Sequence, residues 1–214
     1  MTIHAEALLF DNDGTLVSSL ESVTRCWSRW TREYEIPAED FARVGLHGRP
    51  AAEIVADLLP ADRVADAVAR IERLEVDDAG GTVLLPGSAD LLAALPAERW
   101  AVVTSASRRL ADARLGQVGI RPKTLVAADD VTRGKPDPEP FLLGARMLGV
   151  DPARCVVFED APAGLAAARA AGMRTVALTT THDRSELVAD VVVPDLSYVS
   201  VQVTAGGMEI RTTG

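Results

Sequence analysis

Phe10-Asp11-Asn12-Asp13-Gly14-Thr15-Leu16-Val17 decides the reading of this chain. It follows Ala5-Glu6-Ala7-Leu8-Leu9, a short apolar run that reads as a buried strand. Asp11 and Asp13 therefore leave the carboxyl end of the first strand, the edge at which open α/β sheets bind ligands. In extended geometry residues two apart share a side, and Gly14 permits an abrupt turn. Two acids at such an edge suit a metal ion with one carboxylate oxygen left free to attack. The same residues also suit a simple turn or helix start, so the remainder of the chain has to decide between these readings.

Working outward, residues 18–81 carry only helical signals. Leu20, Val23, Trp27 and Trp30 recur at spacings of three and four, which predicts a helix with both tryptophans in its core. Shorter helices fit Ala38–Phe41 and Ala51–Leu58, and a longer one fits Ala61–Asp78, with Val64, Val68, Ile71 and Leu74 on one face and Glu75 either on a solvated face or free to hydrogen-bond a substrate hydroxyl. His47 and Arg49 fall in a glycine-bearing break from which side chains could reach the sheet edge. Gly80-Gly81 and Val17-Ser18 read as hinges. Beyond Leu84, strand and helix alternate: strands over Trp100–Val103, Leu125–Ala128, Arg154–Phe158, Thr175–Leu178 and Val191–Val193, with helices over Ala89–Leu95, Arg108–Val118, Pro140–Leu148 and Pro162–Ala171 between them. Alternation with crossover-length connections predicts an α/β fold, a Rossmann-like doubly wound parallel sheet with an α-helical insertion. The expected division is a discontinuous core of 1–16 and 82–214 and a helical cap of 17–81. The tail, Val199–Val203 and Met208–Arg211, reads as a hairpin across Gly206-Gly207.

The 214 residues carry a net charge of −9, with a pI of about 4.8. That balance argues against nucleic acid and anionic membrane partners, because phosphate backbones need clustered Lys and Arg. No apolar run reaches membrane-spanning length. The N-terminus has no signal-peptide pattern, and Cys26 and Cys155 read as free buried thiols, so a cytoplasmic location is expected. Nothing fixes the oligomeric state, and a monomer is compatible with the pattern.

The polar residues that follow the strands form a set: Asp11 and Asp13, Thr104 and Ser105, Lys135, and Glu159 and Asp160. Each has an ordinary alternative. Thr104 and Ser105 could cap the next helix, Lys135 could sit on the surface, and Glu159-Asp160 could favour a helix start. All of them gathering at one sheet edge is what singles out a site.

This set resembles the haloacid-dehalogenase-like hydrolase superfamily across nearly the whole chain. Asp11-Asn12-Asp13-Gly14-Thr15 is similar to its first motif, Thr104 to the second, Gly134-Lys135-Pro136-Asp137-Pro138 to the third, and Phe158-Glu159-Asp160-Ala161-Pro162 to the fourth. His47-Gly48-Arg49, Leu85-Pro86-Gly87 and Val103-Thr104-Ser105 are most similar to phosphatases of sugar and polyol phosphates. The resemblance implies a Mg²⁺-dependent phosphomonoester hydrolase acting through an aspartyl-phosphate. Asp11 would be the nucleophile, and Asp13 the acid and then the base, with a raised pKa in a closed site. Thr104, Lys135, Ser105 and the Asn12 amide would hold phosphoryl oxygens, and His47 and Arg49 would face the substrate. Asp11, Asp160 and the Asp13 carbonyl would be metal ligands, with Glu159 a ligand or a support behind them. A divalent cation is required on physical grounds too: each like-charge contact at about 4 Å costs about 4 kcal/mol at an effective dielectric of about 20. A phosphomutase of the same superfamily would carry Val at the Thr15 position and a cap histidine where Val23 stands. Dehalogenation would have no use for Asp13. A phospho-receiver module would lack the helical insertion.

Overall fold

The computed structural model describes residues 1–44 and 49–213. Its centre is a six-stranded sheet built from β2 (Ala7–Phe10), β5 (Trp100–Val103), β6 (Leu125–Val126), β7 (Cys155–Glu159), β8 (Arg174–Leu178) and β9 (Val191–Val193). The order is β6-β5-β2-β7-β8-β9, and every neighbouring pair is parallel. The chain winds outward from β2 to β6 on one side and then returns to β7 on the other. The order therefore reverses around β2, which opens a crevice beyond its carboxyl end. All four residues of β2 are buried, as expected of a parallel strand covered on both faces. Leu8 and Phe10 pack with α6 (Arg108–Gln117) residues such as Leu115, while Ala7 and Leu9 pack with Phe141 of α7 (Glu139–Leu148).

The single strand expected over Ala5–Leu9 is two strands in two sheets. β1 (Thr2–Ala5) alternates exposed and buried residues and pairs antiparallel with β11 (Gly207–Thr212). Glu6 breaks the run, its carboxylate 2.5 Å from Arg154 at the surface. The period-two alternation of Thr2-Ile3-His4-Ala5 marks a one-sided antiparallel strand, whereas the unbroken run from Ala7 marks a two-sided parallel one. The expected tail hairpin is present as β10 (Val199–Thr204) and β11, and Met208 and Ile210 join the main core.

Between β2 and β5 the chain forms α1 (Leu20–Glu33), α2 (Ala38–Ala42), α3 (Ala51–Leu58) and α4 (Ala61–Asp77). These helices close around their own cluster, which includes Trp27, Trp30, Ile54, Val55 and Ile71. Trp30 is fully buried and its indole N–H donates to the Ala67 carbonyl at 2.9 Å. The two connections to the sheet run side by side as a short antiparallel pair, β3 (Val17–Ser18) with β4 (Val83–Leu84). Between β4 and β5 lies α5 (Ser88–Ala93), and α8 (Pro162–Ala170) follows β7. Among the described residues no helix is long and apolar enough to cross a membrane.

Candidate active site

Residues just beyond β2, β5 and β7, and a loop after β6, meet above the carboxyl edge of the sheet. Lys135 is 3% exposed, which removes the surface-lysine alternative. Its ammonium donates to Asp11 Oδ1 at 2.6 Å, Glu159 Oε1 at 2.8 Å and the Val103 carbonyl at 3.0 Å, using all three donors. Glu159 gives its other oxygen to the Ala161 amide at 2.7 Å. Both of its oxygens are thus engaged, one of them in holding Lys135. Its fit is tight: a Cβ on Gly164 would lie 1.7 Å from Glu159 Oε1.

Asp13 lies one turn beyond Asp11. The Asn12 carbonyl accepts the amides of Leu16 and Val17 at 2.9 and 3.0 Å, which folds the segment tightly. Gly14 has φ +88°, and a Cβ there would lie 2.2 Å from Asp160 Oδ2. Glycine therefore serves both the turn and the close approach of Asp160. Asp160 Oδ1 also accepts from the Thr15 hydroxyl at 3.2 Å, and the Thr181 hydroxyl donates to its other oxygen. Asp13 Oδ1 accepts from Ser19 Oγ at 2.6 Å, and Oδ2 accepts from Arg114 at 2.9 Å and from the Asn12 side-chain Nδ2 at 3.1 Å.

Thr104 and Ser105 do not cap α6. Ser107 does, accepting from the Leu110 amide at 3.3 Å, while the Thr104 hydroxyl accepts from the Ala106 amide at 3.1 Å. Both Thr104 and Ser105 line a cavity of about 310 Å³ together with Asp11, Asp13 and Arg49. The helical block lines it with apolar Val23, Trp27, Ile54 and Val68 and with acidic Glu72 and Glu75. Arg49 pairs with Asp57 at 2.9 Å at the rim. His47 lies outside the described residues.

Burial pushes the Asp11 carboxyl from its ordinary 3.8 up to about 7; the Lys135 charge opposes this shift and the Glu159 charge adds to it. Asp160 is likewise raised, first by burial and then by the charges of Glu159 and Asp11. Burial alone would lower the Lys135 pKa, but Asp11 and Glu159 outweigh it and raise it. Three buried carboxylates thus face one ammonium, and the excess charge is unfavourable without a further cation. Asp11, Asp160 and the Asp13 carbonyl are all oxygen donors, the set a hard divalent ion takes. The residues present therefore fit a Mg²⁺ ion.

The pattern of the haloacid dehalogenase-like hydrolase family matches residues 5–172. The chain belongs to that family. It is 37% identical to hexitol phosphatase A of Escherichia coli, over 96% of this chain and 98% of that protein. It is 40% identical to validoxylamine A 7'-phosphate phosphatase of Streptomyces hygroscopicus subsp. limoneus, over 89% of this chain and 94% of that one. A hydrolase from Pseudomonas syringae superposes with a TM-score of 0.79 at 26% identity, covering 90% of this chain and 94% of the other.

Glu75 is buried and lines the cavity, which removes the solvated-face alternative, and Arg114 is a residue that the motifs do not point to. Arg114 Nη2 donates to Glu75 at 3.1 Å while Nη1 holds Asp13. The available signal was positional. Arg114 falls on the Ala111, Leu115, Val118 stripe of α6, and Glu75 lies four residues after Ile71, so each puts a charge where the helical period calls for an apolar side chain.

Proposed function

We propose that this protein is a Mg²⁺-dependent phosphatase of small sugar or polyol phosphates and works through an aspartyl-phosphate on Asp11. The observation that carries this reading is the buried Asp11–Lys135 contact of 2.6 Å, with Asp11 lining a cavity that Asp13, Thr104 and Ser105 also line. In the first half-reaction an Asp11 oxygen bonds to phosphorus and the ester P–O bond breaks. The leaving alkoxide takes a proton from Asp13, since a sugar alkoxide is too basic to leave unprotonated. In the second, Asp13 takes a proton from water as its oxygen bonds to phosphorus; the acyl phosphate opens, Asp11 is restored and inorganic phosphate departs. Lys135, the Thr104 hydroxyl and the Ser105 and Asn12 amides would hold the equatorial oxygens as their charge grows. Bound by Asp11, Asp160 and the Asp13 carbonyl, Mg²⁺ would offset the charge shared by these carboxylates and the phosphoryl group. Glu159 keeps Lys135 in place rather than reaching the metal.

Residues 17–81 serve as a cap over a core of 1–16 and 82–214, with β3 and β4 as the paired hinge strands. The cap wall selects the leaving group, since the core groups meet only phosphate. Trp27 and its apolar neighbours suit the carbon face of a polyol, and Arg49 and His47 stand as substrate-facing candidates. The names of the relatives, among them a hexitol phosphatase, support this substrate class.

The test is phosphate release from a panel of sugar, polyol and nucleotide monophosphates, with Mg²⁺ or with EDTA. Turnover of the sugar and polyol esters that EDTA abolishes is expected. Release from no ester, or release indifferent to EDTA, would overturn the reading.

A further inference from the structure

Arg114 belongs to α6, packed against the sheet, yet its guanidinium spans two carboxylates from different parts of the chain. Nη1 donates to Asp13 at 2.9 Å, beside β2, and Nη2 to Glu75 at 3.1 Å, on α4. The arginine and glutamate side chains are only 6% and 7% exposed. A planar guanidinium fixes the spacing and orientation of both acceptors at once. Glu75 is buried on α4, within the helical block. One turn earlier on the same face of α4, the Ser107 hydroxyl donates to Glu72. Ser107, the cap residue of α6, and Arg114 are seven residues apart, and Glu72 and Glu75 are three apart on one face of α4, so both contacts join the same two helices.

We propose that Glu75 and Arg114 are positioning residues for Asp13, so that the docking of α4 on α6 sets where the proton-transferring carboxylate points. This rests on the phosphatase reading above. The arginine is shared: as long as Glu75 takes part of it, its hold on Asp13 is limited and the carboxylate remains able to turn to the leaving oxygen. Removing the Glu75 charge gives Arg114 wholly to Asp13, whose other oxygen Ser19 already holds at 2.6 Å. Asp13 then stays turned from the substrate.

An effect carried through Asp13 has a signature that a loss of structure lacks. A sugar alkoxide must be protonated to leave and a nitrophenolate need not be, so only the former depends on Asp13 in the first half-reaction. The experiment measures kcat and KM of the full chain with Mg²⁺ on a sugar phosphate and on p-nitrophenyl phosphate, for wild type, Glu75→Gln, Arg114→Met and the double variant. Glu75→Gln is expected to lose at least about tenfold in kcat/KM, which reports only the first half-reaction, on the sugar ester and less than about threefold on the aryl ester. In the Arg114→Met background Glu75→Gln is expected to add nothing to that ratio, because Glu75 acts through the arginine. Glu75→Asp keeps the charge while drawing it back from Arg114, and is expected to fold and to show the same selectivity at about threefold. Equal losses on both esters, fully independent effects in the double variant, or an unchanged ratio in Glu75→Asp would overturn the inference. Wild type that releases no phosphate from either ester would overturn the phosphatase reading instead.

Discussion

At Asp11 the fold works against the charge that the chemistry needs. Burial raises its pKa from 3.8 to about 7, against the pull of Lys135. Between those values the folded chain keeps a proton that the unfolded chain has released, so folded stability falls as pH rises. In the absence of a divalent ion, the thermal midpoint is expected to drop between about pH 5 and about pH 8, as the folded-state pKa is crossed. Added Mg²⁺ should restore more at the upper pH than at the lower. A midpoint that climbs over this range, or a Mg²⁺ shift independent of pH, would contradict the assignment. The same reasoning predicts opposite effects from Asp11→Asn: turnover falls at least about a thousandfold while the metal-free midpoint rises, since one of three crowded buried carboxylates is gone. Phosphate release and thermal melts of one preparation check both halves. The motif residues were legible in the sequence because each follows an apolar strand, and the strand positions dictate that they converge. Arg114 was not, because one basic residue in a helix with several others is recognisable only by its place on the buried stripe.

At the scale of elements, strand β7 and helix α8 are joined so closely that Glu159 lies against the first turn of the helix. Ala161, between them, donates its amide to Glu159, and Gly164 leaves room for the carboxylate where a Cβ would stand 1.7 Å away. Gly164→Ala would raise helix propensity in isolation, but here it must displace Glu159 and with it the support of Lys135. The expected cost of such overpacking is about 1–3 kcal/mol, read as a fall of about 3–10 °C in thermal midpoint, with at least about tenfold loss of kcat. A variant as stable and active as wild type would show that Glu159 does not hold Lys135 in this way. Helix and strand positions were largely readable from periodicity: α1, α3, α4 and the five later strands lie within a residue or two of expectation. The split of Ala5–Leu9 between two sheets has a definite cause. Two strands meet there with a single residue between them, and the change from alternating to continuous burial is hidden within nine residues.

At the scale of the molecule, the cavity lies between a sheet edge and a helical block that has its own core. Trp30 is central to that core, fully buried, with its indole bonded to Ala67 and its ring 5.3 Å from that of Trp27, which lines the cavity. Trp30→Phe removes a hydrogen bond and part of the packing, at an expected cost of about 1–3 kcal/mol. The account expects this to raise KM for a sugar phosphate more than for p-nitrophenyl phosphate, because the damage falls on the wall that meets the leaving group. Equal changes in KM for both esters would place substrate selection elsewhere. The parallel sheet and the helical insertion were legible from alternation alone, since strand and helix periods differ sharply. The way α4 docks on α6 was not, because a contact between two amphipathic helices leaves no periodic mark beyond the apolar stripe each already needs.

The central claim is that Asp11 is transiently phosphorylated. Its most direct test is to quench the enzyme with acid while it turns over a sugar phosphate with Mg²⁺, reduce with borohydride and map the peptides by mass spectrometry. The account predicts homoserine at position 11, formed only when substrate and Mg²⁺ are both present. Sustained phosphate release with residue 11 still aspartate, or reduction at another acid instead, would contradict it.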